Sequence, residues 1–198
     1  SGQCHSPGDR EQIILMTGNC KGVEKVVADG LTGPAPAPPP PSAEPAQAGE
    51  TRVAVRVPAR QPYLLMGYKT PIIGTAPADW EPYALYVLAN VLDGGESARL
   101  SRELVRGSGI AASAGASYGP YSRLPGMLLL DGTPTDGNTT AAVEAALRAQ
   151  VERLRNELVD PGELKRIVTQ AVAGKVFEAD SLFAQAMEIG VLETIGLD

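Results

Sequence analysis

The stretch from Leu92 to Ala112, LDGGESARLSRELVRGSGIAA, constrains the fold of this chain more than any other part of it. It predicts two helices joined by a glycine turn and followed by a strand. The first helix is expected to end at Leu92, because glycine just past a helix can adopt the left-handed backbone that closes it. We therefore expect Gly94 or Gly95 to have a positive φ angle.

The second helix of this stretch is predicted to begin after Ser97, since serine is a common N-cap residue. It is expected to end at Gly107, and the following sequence GIAASAGASY is typical of a strand. An apolar face of the helix is predicted from three residues at helical spacing, which are Leu100, Leu104 and Val105.

Several motifs of the chain resemble, in the same order, those of one protein family. The matching segments are Ile13–Asn19, Gln61–Tyr68, Leu92–Gly95, Ala98–Leu100, Gly109–Ala112 and Asp160–Leu164. They are similar to the motifs of the non-catalytic, substrate-binding domain of pitrilysin/insulinase-type zinc metallopeptidases. The corresponding family features, in the same order, are the VVxGD strand, the entry strand, LxGG, SRL, GLAYS and TxxEL. Asn19 stands in place of the aspartate of VVxGD. The resemblance covers residues 11–198.

The periodicity of the main body predicts an α+β fold, with helices packed on one face of a mostly antiparallel sheet. Period-two alternation predicts strands at Val53/Val55/Val57 and Leu64/Met66/Tyr68, and further strands are expected around Ala111–Tyr118 and Met127–Thr133. The family resemblance implies the same architecture.

Two helices are predicted after the Leu92–Ala112 stretch, in addition to the helix that ends at Leu92. Asp79 is expected to cap the one that buries Leu85, Leu88 and Leu92. The next carries an apolar stripe of Val143, Leu147, Val151, Leu154 and Leu158, with Glu144 and Arg148 paired on its wet side. The last is expected to begin with a capping box formed by Asp160 and Glu163.

The predicted organisation is a disordered or foreign tail at residues 1–10 and a single domain at residues 11–198. That domain comprises a first strand-helix unit (11–33), a proline-rich strap (34–50) and a main body (51–198). The strap GPAPAPPPP is expected to run as an extended connection, since proline fixes φ and donates no hydrogen bond. The alternative, a proline-motif ligand for another domain, is less favoured. Compared with the family, the main body looks truncated at the C-terminus.

Composition excludes several classes of function. The net charge of −6 and the absence of a basic cluster argue against a nucleic-acid surface.

Cys4 and Cys20 are expected to be unpaired, although an exported parent could pair them. His5 is the only histidine, and with Cys4 it offers too few ligands for zinc. The compartment stays open, with the bacterial periplasm or a membrane-associated setting as the family's usual one.

The resemblance implies that any catalytic zinc lies elsewhere. Enzymes of this family bind zinc through an H-x-x-E-H helix, which a chain with one histidine cannot build. This chain is therefore expected to hold no cofactor and no catalytic residue. Zinc would belong to the parent enzyme, on an N-terminal catalytic domain of the same protein or on a partner.

The resemblance also implies that this chain lacks two polar side chains that many family members place near the substrate. Many family members place an arginine and, seven residues later, a tyrosine near the scissile peptide, and here these positions are Val105 and Ala112. Arg102, Arg106 and Tyr118 are weak substitutes, each better explained as a surface or packing residue. The sequence therefore favours a domain of a bacterial zinc metalloendopeptidase that acts on peptides with a homologous subunit carrying the arginine and tyrosine. The alternative is an inactive structural or assembly homologue.

Overall fold

The structure is a computed structural model that describes residues 47–122 and 124–197. Contacts divide the chain into two compact units, Ala46–Gly174 and a second unit made of Ser1–Pro45 with Lys175–Asp198. Predictions for the tail, for Cys4, His5 and Cys20, for the first strand-helix unit and for most of the strap lie outside the described residues. The predicted single domain of residues 11–198 stays a prediction.

The described secondary structure is a three-stranded antiparallel sheet with five helices. The elements are β1 (Leu64–Thr70), α1 (Glu81–Asp93), α2 (Leu100–Gly107), β2 (Ala111–Ser117), β3 (Gly126–Pro134), α3 (Thr140–Asn156), α4 (Pro161–Glu178) and α5 (Leu182–Ile195). The strand order is β1-β3-β2, with β3 in the centre. This confirms the α+β fold class. None of the helices in the described part of the chain is long and apolar enough to cross a membrane.

The sheet buries one face, as the alternation of residues in β3 shows. Leu128 and Leu130 are buried, whereas the intervening Leu129 and Asp131 are half-buried and Met127 is exposed. The main core lies between this face and the helices. It consists of Leu92, Leu100, Leu104, Ala111, Leu130, Val143 and Leu147. Helix α3 lies very close to β3, because a Cβ atom on Gly132 would come within 2.7 Å of the Val143 side chain.

The glycine turn after α1 confirms the prediction made from the sequence. Helix α1 ends at Asp93, and Gly95 has a φ of +108°, which L-residues rarely adopt. A Cβ atom on Gly94 would lie 2.4 Å from the carbonyl oxygen of Asn90. The turn therefore needs glycine at both positions, at Gly94 for space and at Gly95 for backbone conformation.

Two predicted N-caps are wrong. Helix α1 begins at Glu81 with Trp80 in the cap position, one residue beyond Asp79, and no side chain caps it. Helix α2 has Arg99 in the cap position and also lacks a side-chain cap, because the Ser97 hydroxyl instead accepts a hydrogen bond from Arg166 at 2.8 Å.

The capping box predicted at the start of α4 is confirmed for Asp160 but not for Glu163. A carboxylate oxygen of Asp160 accepts hydrogen bonds from the backbone N–H groups of Gly162 and Glu163 at 2.9 and 3.0 Å. The side chain of Glu163 does not complete a capping box, because it binds Arg99 instead. Tertiary pairing thus replaces the reciprocal bond that the local sequence predicts.

Two further predictions about packing are wrong. Residues 51–57 form no strand, and Val53 is 77% exposed, because no other described segment pairs with this stretch. The apolar stripe of α3 ends early, since the helix stops at Asn156 and Leu158 is 98% exposed. The predicted pair of Glu144 and Arg148 is confirmed at 3.0 Å.

Candidate functional site

The two positions that the resemblance assigns to a substrate-binding arginine and tyrosine both lie at backbone irregularities. Val105 is in α2, which is a π-helix whose last turn is closed by a hydrogen bond from the Ser108 N–H to the Glu103 carbonyl at 2.9 Å. Ala112 lies at a register shift in β2. Its neighbours Ala111 and Ser113 pair with Pro134 and Thr133, consecutive residues of β3, so Ala112 is an extra residue, as in a β-bulge.

The two positions lie on elements that pack against each other. Helix α2 packs against β2, and Gly109, with a φ of +64°, makes the turn between them. The Thr135 hydroxyl fixes this turn by donating a hydrogen bond to the Gly109 carbonyl at 2.6 Å. π-Helical turns and bulges are common at functional sites because they re-aim side chains. Neither feature could be predicted from the sequence.

The chemistry at these positions is apolar. Val105 is half-buried and Ala112 is exposed, and neither side chain has a polar atom. An oxyanion that develops on a peptide carbonyl is stabilised by hydrogen-bond donors placed within about 3 Å of it. Val105 and Ala112 supply no such donor from their side chains.

The weak substitutes Arg102 and Arg106 are exposed and bind neighbours on the same part of the chain. The Arg102 guanidinium binds the Glu103 carboxylate at 2.8 Å. Arg106 donates a hydrogen bond to the backbone carbonyl of Glu96 and lies 3.9 Å from its carboxylate. Both contacts are at the surface, where such pairs contribute little to stability.

Tyr118 is a packing residue in this structure. Its ring is buried with Ala89 and Leu128, and its hydroxyl donates a hydrogen bond to the Pro71 carbonyl at 2.6 Å. Burial raises the pKa of the Tyr118 phenol, which keeps the proton needed for this bond. The hydroxyl therefore links the end of β2 to the segment after β1.

A largely buried ion pair joins two of the motifs on which the family resemblance rests. Arg99, in the SRL-like motif, donates to both carboxylate oxygens of Glu163, in the TxxEL-like motif, at 3.1 and 2.7 Å. The two side chains are only 7% and 12% exposed. The hydrogen bonds from Arg99 hold the pKa of Glu163 below its usual value. The pair fixes the start of α2 against α4.

Glu103 ties the other side of α2 to α3. Its carboxylate accepts hydrogen bonds from Gln150 at 2.7 Å, from Arg153 at 2.6 Å and from Arg102 at 2.8 Å. Desolvation by burial raises the pKa of Glu103, but these donors outweigh it and the net shift is downward. Helix α2 is thus attached to α3 through the Glu103 carboxylate and to α4 through the Arg99–Glu163 pair.

Asp93, at the end of α1, makes a hydrogen bond to β2, the strand that follows α2. Its carboxylate accepts a hydrogen bond from the Ala116 N–H of β2 at 3.2 Å. Burial raises the pKa of Asp93 most, the Ala116 N–H opposes this, and the nearby Asp131 raises it further. The contact gives a backbone donor of β2 a partner on the side that faces α1.

The described residues hold no cluster of three or more histidine, cysteine, aspartate or glutamate side chains that could bind a metal ion. Zinc sites in proteins use three or four convergent ligands of these types. The part of the chain described by the structure therefore contains no candidate catalytic metal centre.

A second surface of interest lies along β1. An open cavity of about 1000 Å³ is lined by β1, by the irregular residues 47–63 and by the first turns of α3. We call it the edge trough. In the described part of the chain, β1 pairs only with β3, and residues 64–69 of β1 line this cavity.

Four charged side chains form a network at the edge trough. Arg52 binds Glu144 at 2.6 Å and Glu50 at 3.2 Å, and Arg148 binds the same two carboxylates, each at 3.0 Å. Hydrogen bonds from Arg52 and Arg148 lower the pKa of Glu144, so that it stays charged near neutral pH. The network connects residues 50–52 to α3.

Comparison with known families identifies the class of protein to which this fold and site belong. Residues 17–171 match the family model described as the Peptidase M16 inactive domain. The chain is therefore a member of this family of non-catalytic peptidase domains. No curated protein matches the chain.

A solved structure with the same fold is described as a protease from Helicobacter pylori. The TM-score is 0.61 at 21% sequence identity, and the match covers 68% of this chain. It covers 31% of the Helicobacter protein, so this chain spans about a third of the length of that relative.

Proposed function

We propose that this chain is a substrate-chamber domain of a bacterial zinc metalloendopeptidase, with the zinc on a preceding domain or on a partner subunit. The observation that carries the proposal is the family match to an inactive peptidase domain. The lack of a metal-binding cluster among the described residues supports it. The domain would help to enclose unfolded peptides and would not itself cleave them.

Val105 and Ala112 lead to a proposal about the partner. An active parent enzyme needs donors near the developing oxyanion, and loss of one such donor typically costs about 3 kcal/mol, or 10² to 10³ in rate. A homologous subunit that carries the arginine and tyrosine would supply them. The parent alone is then a poor protease, and it becomes efficient when the two subunits are combined.

The test is a peptide-cleavage assay on the full-length parent, alone and with such a subunit. The double variant Val105→Arg, Ala112→Tyr should raise the rate of the lone parent. A control with the same residue types at exposed positions outside the motifs, Val172→Arg with Ala179→Tyr, should leave the rate unchanged. Full activity of the unmodified parent alone would contradict the proposal.

The second candidate function is that of an inactive structural or assembly homologue. The apolar residues at positions 105 and 112 favour it, since a protein without catalysis has no need for the polar pair. The two candidates differ in the parent sequence, which carries an H-x-x-E-H helix only if the parent is the zinc-bearing subunit. Zinc content and chelator-sensitive cleavage by the parent complex distinguish them directly.

A further inference from the structure

We propose that the segment Val23–Leu31 of this chain packs as a helix against α5 and covers one apolar side of it. The inference goes beyond the proposed function, because it concerns an interaction surface and does not depend on catalysis. It is supported by the apolar character of α5, by the spacing of the apolar residues on both partners and by a glycine on the surface of α5.

Helix α5 is apolar but is not part of a core in the described part of the chain. Nine of its 14 residues are apolar, yet none is buried, and none belongs to the two cores formed by the described residues. Polar contacts attach it to α4 and to the turn after α4, where Lys175 binds Glu188 at 3.2 Å and the Gln185 amide donates a hydrogen bond to the Ala179 carbonyl. A helix that is apolar around most of its circumference is normally covered by other elements.

One side of α5 carries a regular row of large apolar side chains. Phe183, Met187 and Val191 follow one another at intervals of four residues and are 76%, 54% and 37% exposed. Rows with this spacing form the ridges by which two helices interdigitate in the commonest class of helix packing. The best partner for this side of α5 is therefore a second helix with an apolar row of the same spacing.

The segment Val23–Leu31, which lies outside the described residues, has such a row in its sequence. Val23, Val27 and Leu31 have the same spacing of four residues, and Val26 extends the apolar side, whereas Lys25 falls on the opposite side of the predicted helix. Contacts group Ser1–Pro45 with Lys175–Asp198 in one compact unit, so this segment and α5 belong to the same unit. That grouping favours the chain's own segment over a second copy of the chain as the occupant.

Gly190 gives independent support for a neighbour on this side of α5. It lies in the interior of the helix, three residues after Met187, where glycine is less favourable than alanine. A Cβ atom on Gly190 would meet no described atom within 4 Å, so no described neighbour requires glycine there. A glycine beside an apolar row leaves room for the close approach of a second helix.

The first experiment measures disulfide formation in the full chain, with both native cysteines replaced by serine. Val27→Cys is combined in turn with a cysteine at each position of the α5 row, namely Phe183→Cys, Met187→Cys and Val191→Cys. At least one combination is expected to cross-link within the chain about tenfold faster than the same α5 cysteine combined with Lys25→Cys, because a disulfide needs Cα atoms within about 7 Å. Equal rates for Val27→Cys and Lys25→Cys in all three combinations would overturn the proposal. A disulfide between two chains, seen as a dimer on a non-reducing gel, would assign the surface to a second copy and would also overturn it.

The second experiment compares two glycine variants of the full chain by thermal denaturation. Gly190→Ala is expected to lower the melting temperature by about 2 °C or more, because the added methyl group occupies the space of the packed segment. The matched control is Gly174→Ala in α4, where a Cβ atom also meets nothing within 4 Å and alanine should raise the melting temperature. A rise in both variants would show that this side of α5 is free in the full chain and would overturn the proposal. Neither experiment involves cleavage, so the proposed function stands or falls separately.

Discussion

The buried pair of Arg99 and Glu163 gives the sharpest prediction about stability. The substitution Arg99→Met keeps most of the side-chain volume but removes two charge-assisted hydrogen bonds of 3.1 and 2.7 Å. Each such bond contributes about 1.5–3 kcal/mol, and the Glu163 carboxylate is left without its main partner at only 12% exposure. We expect a loss of about 3 kcal/mol in the free energy of unfolding.

Thermal and urea denaturation measure this loss. At roughly 2–4 °C per kcal/mol for a chain of this size, the melting temperature should fall by about 6–12 °C. The control Arg155→Met removes a pair whose side chains are 71% and 56% exposed, and it should cost less than about 0.5 kcal/mol. The double variant Arg99→Met, Glu163→Leu should recover most of the loss, because apolar residues can replace a buried pair. Equal losses for the Arg99 and Arg155 variants would refute the reasoning.

The same pair predicts a pH dependence. The pKa of Glu163 is lower in the folded state than the value of about 4.3 expected for an unfolded chain. Its contribution is therefore fully present above about pH 5 and is lost as the pH falls through the lowered pKa. The stability of the unmodified chain should decline more steeply below pH 5 than that of Arg99→Met, as measured by urea denaturation at a series of pH values. Parallel pH profiles would contradict this.

Two further substitutions test local features of the fold. Gly95→Val should cost on the order of 1 kcal/mol or more in thermal denaturation, because the φ of +108° strains any L-residue, whereas Gly119→Ala, which meets nothing within 4 Å, should be close to neutral. A neutral Gly95→Val would show that the turn relaxes freely. Tyr118→Phe should cost about 1–2 kcal/mol, because the Pro71 carbonyl loses a 2.6 Å hydrogen bond in a part-buried site. Tyr83→Phe, at an exposed ring, should change the melting temperature little, and equal effects of the two tyrosine variants would refute the role of the bond.

Local signals in the sequence predicted the parts of the fold that depend on local chemistry. The alternation in β1 and β3 and the glycine turn after α1 are of this kind, and all three are confirmed. The alternation at Val53, Val55 and Val57 failed because a strand needs a partner, which periodicity cannot supply. The stripe of α3 failed at Leu158 because the chain leaves the helix at Asn156 before α4 begins.

The site was harder to predict because its main features are non-local. Arg99 and Glu163 are 64 residues apart, and no spacing rule connects them. The π-helical turns around Val105 and the bulge at Ala112 change register without a residue type that marks them. Sequence reasoning located these two positions only through the family motif. Their surroundings required the structure.

The central claim is that this chain is a peptidase-family domain without a catalytic centre of its own. The most direct measurement is metal analysis of the purified chain, combined with cleavage of a quenched fluorescent peptide in the presence and absence of a chelator. We predict about 0.1 zinc per chain or less and no cleavage above background, because the residues that the structure describes hold no cluster of three convergent ligands. One tightly held zinc per chain with chelator-sensitive cleavage would contradict the claim.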